Sequence, residues 1–329
     1  MNTISYSEIS TYLRCKLKWY WKYIEKLERK IKPVNLFIGD GIHKAIQAYY
    51  EQKVAPADYF QQWAINQLQE YENELGLWED EKEKFMEDLD KATKMLEVYP
   101  KQAQYLDDFK WEKGEVEFVV PLKAKEKQSQ TKVKCRIDGL ISNDKGHWII
   151  ETKTTNNPNA PNLLRDLQTM IYFWGAIKVM EVQGVLYNLI YKWCPKPPTI
   201  LKNNTISKSI NTIRNTTYEL YLKTIQDTGL DPKDYENELM QLKQKDNTII
   251  YREYIYAKSV KELTVLESIL WQIARSIRRS YRYKEFYPSI SKNCEWDCDM
   301  KDLCQQYLIG GDIEFIKNLY YKGVTESGQ

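Results

Sequence analysis

The fold is decided by Lys132-Val-Lys-Cys-Arg-Ile-Asp-Gly-Leu-Ile-Ser142, the turn Asn143-Asp-Lys-Gly146 and His147-Trp-Ile-Ile-Glu-Thr-Lys-Thr-Thr155. A polar turn between two runs rich in β-branched and aromatic residues is typical of a β-hairpin. The sequence therefore predicts two antiparallel strands joined by this turn.

The register of this hairpin is predicted to bring two carboxylates together. If Ser142 faces His147, counting back in steps of two places Asp138 opposite Glu151, with Cβ atoms about 5 Å apart. Lys153 then lies on the same face as Glu151, because side chains alternate along a strand. The other face is predicted to point into the core, and it carries Val133, Cys135, Ile137, Ile141, Trp148 and Ile150.

Two carboxylates and one amine on a sheet face allow two interpretations. One is a solvated polar cluster, because carboxylate and lysine side chains are often neighbours on protein surfaces. The other is a divalent-metal site with a lysine beside it. Facing carboxylates destabilise a sheet unless their charge is offset, and a hard cation with oxygen ligands offsets it directly. We therefore favour the metal site.

Composition limits the class of protein. The chain has 329 residues, of which 43% are hydrophobic, enough for one large domain or a domain with a helical lobe. The sequence shows no apolar run of transmembrane length and no signal-like N-terminus, so we expect a cytoplasmic protein without a membrane partner. Its net charge of +2 means that any nucleic-acid-binding surface is local.

The order of predicted elements suggests an α/β core with a mixed sheet and an N-terminal helical lobe. We expect one integrated domain with three regions: helices in residues 1–110, the core in 111–200, and a helical region with one strand in 201–329. Outside the hairpin, the main predicted elements are the strands Trp111–Ala124, Gly184–Trp193 and Ile249–Ala257 and the helices Asn162–Val179 and Ser259–Tyr283.

Three cysteines lie close together near the C-terminus, at Cys294, Cys298 and Cys304. Clustered thiols in a reducing compartment indicate metal or redox chemistry, and a closed site needs a fourth ligand. Cys135 is predicted to face the core and Cys194 lies between a strand end and a proline, so Cys15, at the end of the first helix, is the freer candidate. Four thiolates suit zinc or an iron–sulfur cluster, and the C-x3-C spacing slightly favours the cluster.

Two further patterns have a structural and a functional interpretation. His43, near the start of a predicted helix, is either a packing residue or a ligand, and Gln168 and Tyr172 share one helix face. Four arginines form a single helical stripe, which is either a solvated face or a surface for DNA phosphates. The stripe consists of Arg275, Arg278, Arg279 and Arg282.

Together these patterns resemble the PD-(D/E)XK nuclease superfamily, specifically its RecB-like branch with a four-cysteine iron–sulfur clasp. This branch includes the AddB nuclease domain, CRISPR-associated exonucleases and phage recombination nucleases. The resemblance covers nearly the whole chain, and only the x3 spacing after Cys294 departs from the usual x2. Its motifs are Ser5–Cys15, Gly39-x3-His43, Ile137-Asp138-Gly139, Glu151-x-Lys153, Gln168-x3-Tyr172 and Phe286-Tyr-Pro288 before the last cysteines.

The resemblance implies a restriction-endonuclease-like core, in which helices flank a central mixed β-sheet, with a C-terminal iron–sulfur clasp. It implies Mg²⁺ or Mn²⁺ held by His43, Asp138, Glu151 and the carbonyl of Thr152. Lys153 would stand at the reacting water, and Gln168 and Tyr172 would support Lys153 and the DNA phosphate. A [4Fe–4S] cluster, or alternatively zinc, would be held by Cys15, Cys294, Cys298 and Cys304.

The implied function is a metal-dependent DNA nuclease, expected to be an exonuclease on single-stranded DNA or DNA ends in recombination, repair or phage replication. A helicase or recombination protein is the expected partner. Three alternatives remain: a structure-specific endonuclease, a non-catalytic DNA-binding subunit of the same fold, and a zinc-clasped adaptor for protein partners.

Overall fold

The computed structural model describes residues 3–75, 79–123, 128–157, 166–256, 259–295 and 298–323. The strands are β1 (Thr3–Ser5), β2 (Leu27–Arg29), β3 (Lys110–Lys123), β4 (Gln128–Asn143), β5 (Gly146–Thr155), β6 (Gly184–Tyr191), β7 (Ile250–Tyr256) and β8 (Tyr321–Gly323). The α-helices are α1 (Tyr6–Arg14), α2 (Lys16–Trp19), α3 (Val34–Gln52), α4 (Pro56–Leu75), α5 (Glu79–Leu106), α6 (Leu167–Ala176), α7 (Ile210–Asn215), α8 (Tyr218–Thr228), α9 (Glu236–Gln244), α10 (Val260–Tyr283), α11 (Lys301–Ile309) and α12 (Ile313–Tyr320). Short π or 3₁₀ segments cover Tyr20–Ile24, Pro232–Tyr235 and Lys292–Cys294.

These bounds agree with most of the predicted elements. The predicted strands correspond to β3, β6 and β7, and the last long predicted helix to α10. The predicted helix Asn162–Val179 corresponds to the shorter α6, and residues 162–165 lie outside the described part of the chain. Ala124 and Ala257, at the ends of two predicted strands, also lie outside it.

Six strands form one central mixed sheet. Along the sheet, β4, β5, β6 and β7 are neighbours in that order, and β4 also pairs with β1 and β3. The pairs β1–β4 and β5–β6 are parallel, whereas the other pairs are antiparallel. A second, two-stranded sheet joins β2 to β8 and so links the two ends of the described chain.

The hairpin register agrees with the prediction. Ser142 pairs with His147, and the ladder between β4 and β5 continues to Gly139 and Ile150, where it ends. Beyond that pair β5 keeps its ladder with β6 up to Thr155, so β4 and β5 separate just where Asp138 lies.

Helices cover both faces of the sheet. Leu189 belongs to a hydrophobic cluster with α1, α6 and α10, whereas its neighbour Ile190 belongs to a cluster with α3, α4 and α5. Successive side chains of a strand point to opposite faces, so these two clusters lie on opposite faces. The first cluster includes Ile4, Cys135 and Ile277, one residue from each predicted region. The predicted mixed sheet flanked by helices is therefore confirmed.

The prediction of a single core face on the hairpin is wrong in one respect. Cys135 and Ile137 pack in the cluster with α6, but Ile141 and Trp148 pack in a separate cluster. The change falls at Asp138, where the regular β3–β4 pairs are interrupted at Glu115, a residue with a positive φ of 43°. All six residues predicted for that face are nevertheless buried.

No helix in the described ranges is both long and apolar enough to cross a membrane.

Candidate active site

A histidine and a carboxylate lie together near the point where β4 separates from β5. His43 lies on α3, and its Nδ1 is 3.3 Å from Oδ2 of Asp138. The same carboxylate oxygen accepts a 2.8 Å hydrogen bond from the backbone N–H of Thr152. Burial opposes protonation of the His43 ring, but the Asp138 carboxylate outweighs it and raises the pKa of His43 to about 9.

Glu151 is the most deeply buried carboxylate of this group. Only 2% of the residue is exposed, and its Oε2 has no hydrogen-bond partner among the described residues. Burial, with the nearby Asp138 as a second cause, raises the pKa of Glu151 to about 8. A buried carboxylate oxygen without a partner costs free energy unless a cation or donor approaches it.

Lys153 is held between two carboxylates and an amide. Its Nζ is 3.3 Å from Oε1 of Glu151 and 3.3 Å from Oδ2 of Asp166, and it donates a 2.8 Å hydrogen bond to Oε1 of Gln168. Burial acts to lower the pKa of Lys153, but Glu151 and Asp166 outweigh it and raise that pKa. The ammonium group is therefore charged and fixed in position.

Helix α6 supplies the polar residues that face Lys153. Gln168 and Tyr172 lie one turn apart, and Nε2 of Gln168 donates a 3.3 Å hydrogen bond to the Tyr172 hydroxyl. The helix face predicted from their spacing is thus the face toward the candidate site. Burial, followed by the charge of Glu151, raises the pKa of Tyr172 beyond its usual range, which keeps its hydroxyl neutral.

Asp166 belongs to this group, although the sequence analysis missed it. It is the N-cap of α6, and its Oδ1 accepts a 3.2 Å hydrogen bond from the backbone N–H of Gln168. Its Oδ2 accepts hydrogen bonds from Thr169 at 3.0 Å and from the Tyr187 hydroxyl at 3.3 Å. The sequence offered one signal for it: Asp166 directly precedes the first residue of α6, and aspartate is a common residue at the N-cap of a helix.

The oxygen-rich donor set fits a hard divalent cation. Asp138 and Glu151 supply carboxylate oxygens, and Oε2 of Glu151 is an unpartnered acceptor. Among the described residues, no group of three or more His, Cys, Asp or Glu side chains is arranged so that it could hold a metal ion. His43 instead contacts Asp138, and Glu151 contacts Lys153. A bound cation would replace these contacts with contacts to itself.

The four cysteines named by the resemblance line one cavity of about 180 Å³, namely Cys15, Cys294, Cys298 and Cys304. Cys15 is the C-cap of α1, and its sulfur accepts a 3.4 Å hydrogen bond from the backbone N–H of Ser289. Burial and the neighbouring thiols raise the pKa of Cys304 to about 11. Cys135, in contrast, is buried in the core, where burial raises its pKa to about 12.

The arginine stripe lies on the exposed side of α10. The guanidinium of Arg275 stacks 4.6 Å from the centre of the Trp271 ring, and Arg279 is 3.5 Å from a carboxylate oxygen of Glu285. The opposite side of α10 packs into the cluster with α1 and α6. None of the described contacts joins the four arginines to Lys153 or its neighbours, and their role in DNA binding stays a prediction.

Comparison with protein families agrees with the mixed sheet flanked by helices. The family model of the PD-(D/E)XK nuclease superfamily matches residues 3–305, so the chain belongs to that superfamily. A comparison with curated proteins gives no significant match. Among solved structures, the crystal structure of SSO0001 aligns with 12% identity over 84% of this chain and 87% of that chain, with a TM-score of 0.29.

Proposed function

We propose that this protein is a Mg²⁺- or Mn²⁺-dependent deoxyribonuclease that acts as an exonuclease on single-stranded DNA or DNA ends. The observation that carries the proposal is Glu151, a buried carboxylate with an unpartnered oxygen next to Asp138 and a fixed lysine. Membership of the superfamily supports the same reaction class.

The residues that would hold the cation are His43, Asp138, Glu151 and the backbone carbonyl of Thr152. When bound, the ion supplies positive charge for the phosphodiester oxygens and lowers the pKa of a water molecule. Asp138 is already oriented by the Thr152 N–H, so one of its oxygens is fixed before any cation arrives.

The protein positions a cationic donor next to that carboxylate pair. The Lys153 ammonium is anchored by Asp166 and Gln168, which leaves it aimed toward the Glu151 side of the site. There it orients the attacking water or stabilises the charge that develops on the phosphate. Tyr172, bonded to Gln168 and neutral, adds a hydroxyl that can donate to a phosphate oxygen.

A non-catalytic DNA-binding subunit is the second candidate. Such a protein has no need for two carboxylates and a lysine in one place. Here Lys153 contacts Glu151, and Asp138 accepts a hydrogen bond from the backbone of Thr152 between them. A cleavage assay separates the two functions. We expect the purified protein to degrade end-labelled linear single-stranded DNA with Mn²⁺, to spare circular DNA and to stop with EDTA. Cleavage of circular DNA would instead identify an endonuclease. Absence of cleavage with every divalent metal would favour the non-catalytic DNA-binding subunit.

We further propose that the chain belongs to the RecB-like branch and carries a [4Fe–4S] cluster on Cys15, Cys294, Cys298 and Cys304. The shared cavity supports this, because its volume exceeds many times what one ion or water molecule occupies. Zinc is the alternative, and iron and sulfide analysis separates the two. A helicase or recombination protein is the proposed partner, in recombination, repair or phage replication.

A further inference from the structure

One lateral row of the sheet is polar although it is buried. Thr152 on β5 pairs with Asn188 on β6, and Asn188 pairs with Arg252 on β7, so the three residues lie side by side across three strands. Asn188 is 0% exposed, and only 7% of the Arg252 side chain is exposed. Because side chains alternate, this row points to the face opposite to Glu151 and Lys153.

The three side chains of this polar row contact each other directly. Nδ2 of Asn188 donates to Oγ1 of Thr152 at 3.3 Å and to the hydroxyl of Tyr99 at 3.0 Å. Its Oδ1 accepts a hydrogen bond from Nε of Arg252 at 3.4 Å. The amide of Asn188 thus uses both donors and its acceptor, which is the expected state of a buried polar group.

The polar row ends on the helical lobe formed by α3, α4 and α5. Nη1 of Arg252 is 2.5 Å from Oδ1 of Asp107, which follows the last residue of α5. Nη2 of Arg252 donates to the hydroxyl of Tyr50 on α3 at 3.1 Å, and that hydroxyl donates to Asp107 at 3.1 Å. Contacts therefore run without a break from the lobe to the strand residue between Glu151 and Lys153.

We propose that the polar row is a positioning device that fixes the segment Glu151–Lys153 relative to the lobe that carries His43. A buried ion pair is weak evidence for stability, because apolar residues of equal volume often serve as well, but it can specify one arrangement. Thr152 is held twice, through its hydroxyl by Asn188 and through its N–H by Asp138. This inference rests on the proposed function for its consequence at the metal site.

Two substitutions at Thr152 isolate its hydroxyl. Thr152→Val keeps the shape and loses Oγ1, whereas Thr152→Ser keeps Oγ1 and loses a methyl group. Ser280→Ala is the matched control, because it removes a buried hydrogen bond of 2.8 Å between Ser280 on α10 and Tyr12 on α1, away from the polar row. Hydrogen exchange of the β5 amides is measured by mass spectrometry, and Mn²⁺ binding by calorimetry without DNA.

We expect Thr152→Val to speed exchange in residues 149–155 and to weaken Mn²⁺ binding about tenfold, as loss of a supporting hydrogen bond does at metal sites. Thr152→Ser keeps Oγ1, so its β5 amides should exchange more slowly, and it should bind Mn²⁺ more tightly, than in Thr152→Val. Ser280→Ala should match the wild type in both measurements. Equal β5 exchange in the two Thr152 variants would overturn the proposal, and so would faster exchange in Thr152→Val with unchanged Mn²⁺ binding. If wild-type protein neither binds Mn²⁺ nor cleaves DNA, the proposed function fails, and the exchange comparison alone decides the positioning role.

Discussion

At the scale of single residues, Glu151 shows how a functional group is held at a cost to stability. Its carboxylate is buried, partly unpartnered and close to a second carboxylate, an arrangement that destabilises the metal-free protein. A ligand that binds only the folded state, such as a divalent cation, would offset this loss of stability. Under the proposed function, the residue is explained by metal binding rather than by packing.

Glu151→Gln should separate these two effects. A neutral amide costs less to bury, so the free energy of unfolding of the metal-free protein should rise by about 1–3 kcal/mol. Metal-dependent cleavage should disappear, and the same is expected for Asp138→Ala and Lys153→Ala. The cleavage rate of a double variant should be hardly lower than that of a single variant. Chemical denaturation with EDTA measures the first effect and end-labelled DNA the second. Glu117→Gln, at an exposed carboxylate on β3, should change neither, and a Glu151→Gln protein that cleaves DNA would refute the assignment.

Asp166 should act through Lys153 rather than by binding metal. Asparagine remains a good N-cap, so Asp166→Asn keeps the α6 cap while removing the charge that faces the ammonium. We expect kcat to fall about tenfold with an unchanged KM for DNA and unchanged Mn²⁺ binding. Asp166→Ala should in addition lose about 1 kcal/mol of stability with its cap. Weakened Mn²⁺ binding in Asp166→Asn would make this residue a ligand instead.

The residues of the candidate site differ in how far the sequence predicts them. Asp138 and Glu151 were predicted to face each other because a short turn fixes the register of the hairpin, and the ladder follows that register as far as Gly139 and Ile150. The roles of Asp166, Asn188 and Arg252 were not predicted, because their contacts join different elements whose packing the sequence pattern does not give. Sequence patterns predict which residues face each other across a single turn. They do not predict how a helix packs on a sheet, because tertiary packing decides that.

At the scale of elements, the long amphipathic helix α10 has one side in the core and one side that is a candidate binding surface. Its buried side packs on the core cluster, and its exposed side carries the arginine stripe. Periodicity predicted both the helix and the stripe, because a repeat of 3.6 residues needs no distant partner. The face assignment on the hairpin was wrong in one respect for the opposite reason, since β4 passes from one cluster to another near Asp138, a local change that periodicity does not predict.

Reversing two charges of the stripe tests its role. Arg278→Glu with Arg282→Glu should weaken binding to all single-stranded DNA sequences and reduce the slope of log affinity against log salt by about 1.4. The matched control makes the same charge change at Lys223→Glu and Lys243→Glu, on exposed positions of α8 and α9. Fluorescence anisotropy between low and moderate salt measures both slopes. Equal slopes in the two variants would make the stripe an ordinary solvated face.

At the scale of the whole molecule, the two ends of the chain are joined in more than one way. Strand β2 pairs with β8, and Leu17 and Trp21 pack with Met300 and Leu303 in a small cluster beside the cysteines. Asp299 also bridges the ends, because its carboxylate contacts the ammonium groups of Lys18 and Lys22. The proposed iron–sulfur cluster would thus add to a junction that the chain already makes.

Loss of the cluster should accordingly weaken this junction first and the rest of the domain second. Protein purified without oxygen should be brown, with about four iron and four sulfide per chain, as a four-cysteine cubane requires. Ligation of a metal centre contributes folding free energy, so Cys304→Ser should be colourless and less stable, and its nuclease activity should fall with its folded fraction.

The matched control is Cys135→Ser, which changes a buried core thiol outside the cavity and should leave the protein brown. Hydrogen exchange should show the largest loss of protection in α11, which lines the cavity, and in β2 and β8, which form the terminal junction. Stoichiometric zinc without iron would defeat the cluster and leave the nuclease proposal standing. Full iron content in Cys15→Ser would show instead that another residue is the fourth ligand, even though Cys15 lines the same cavity as the other three thiols.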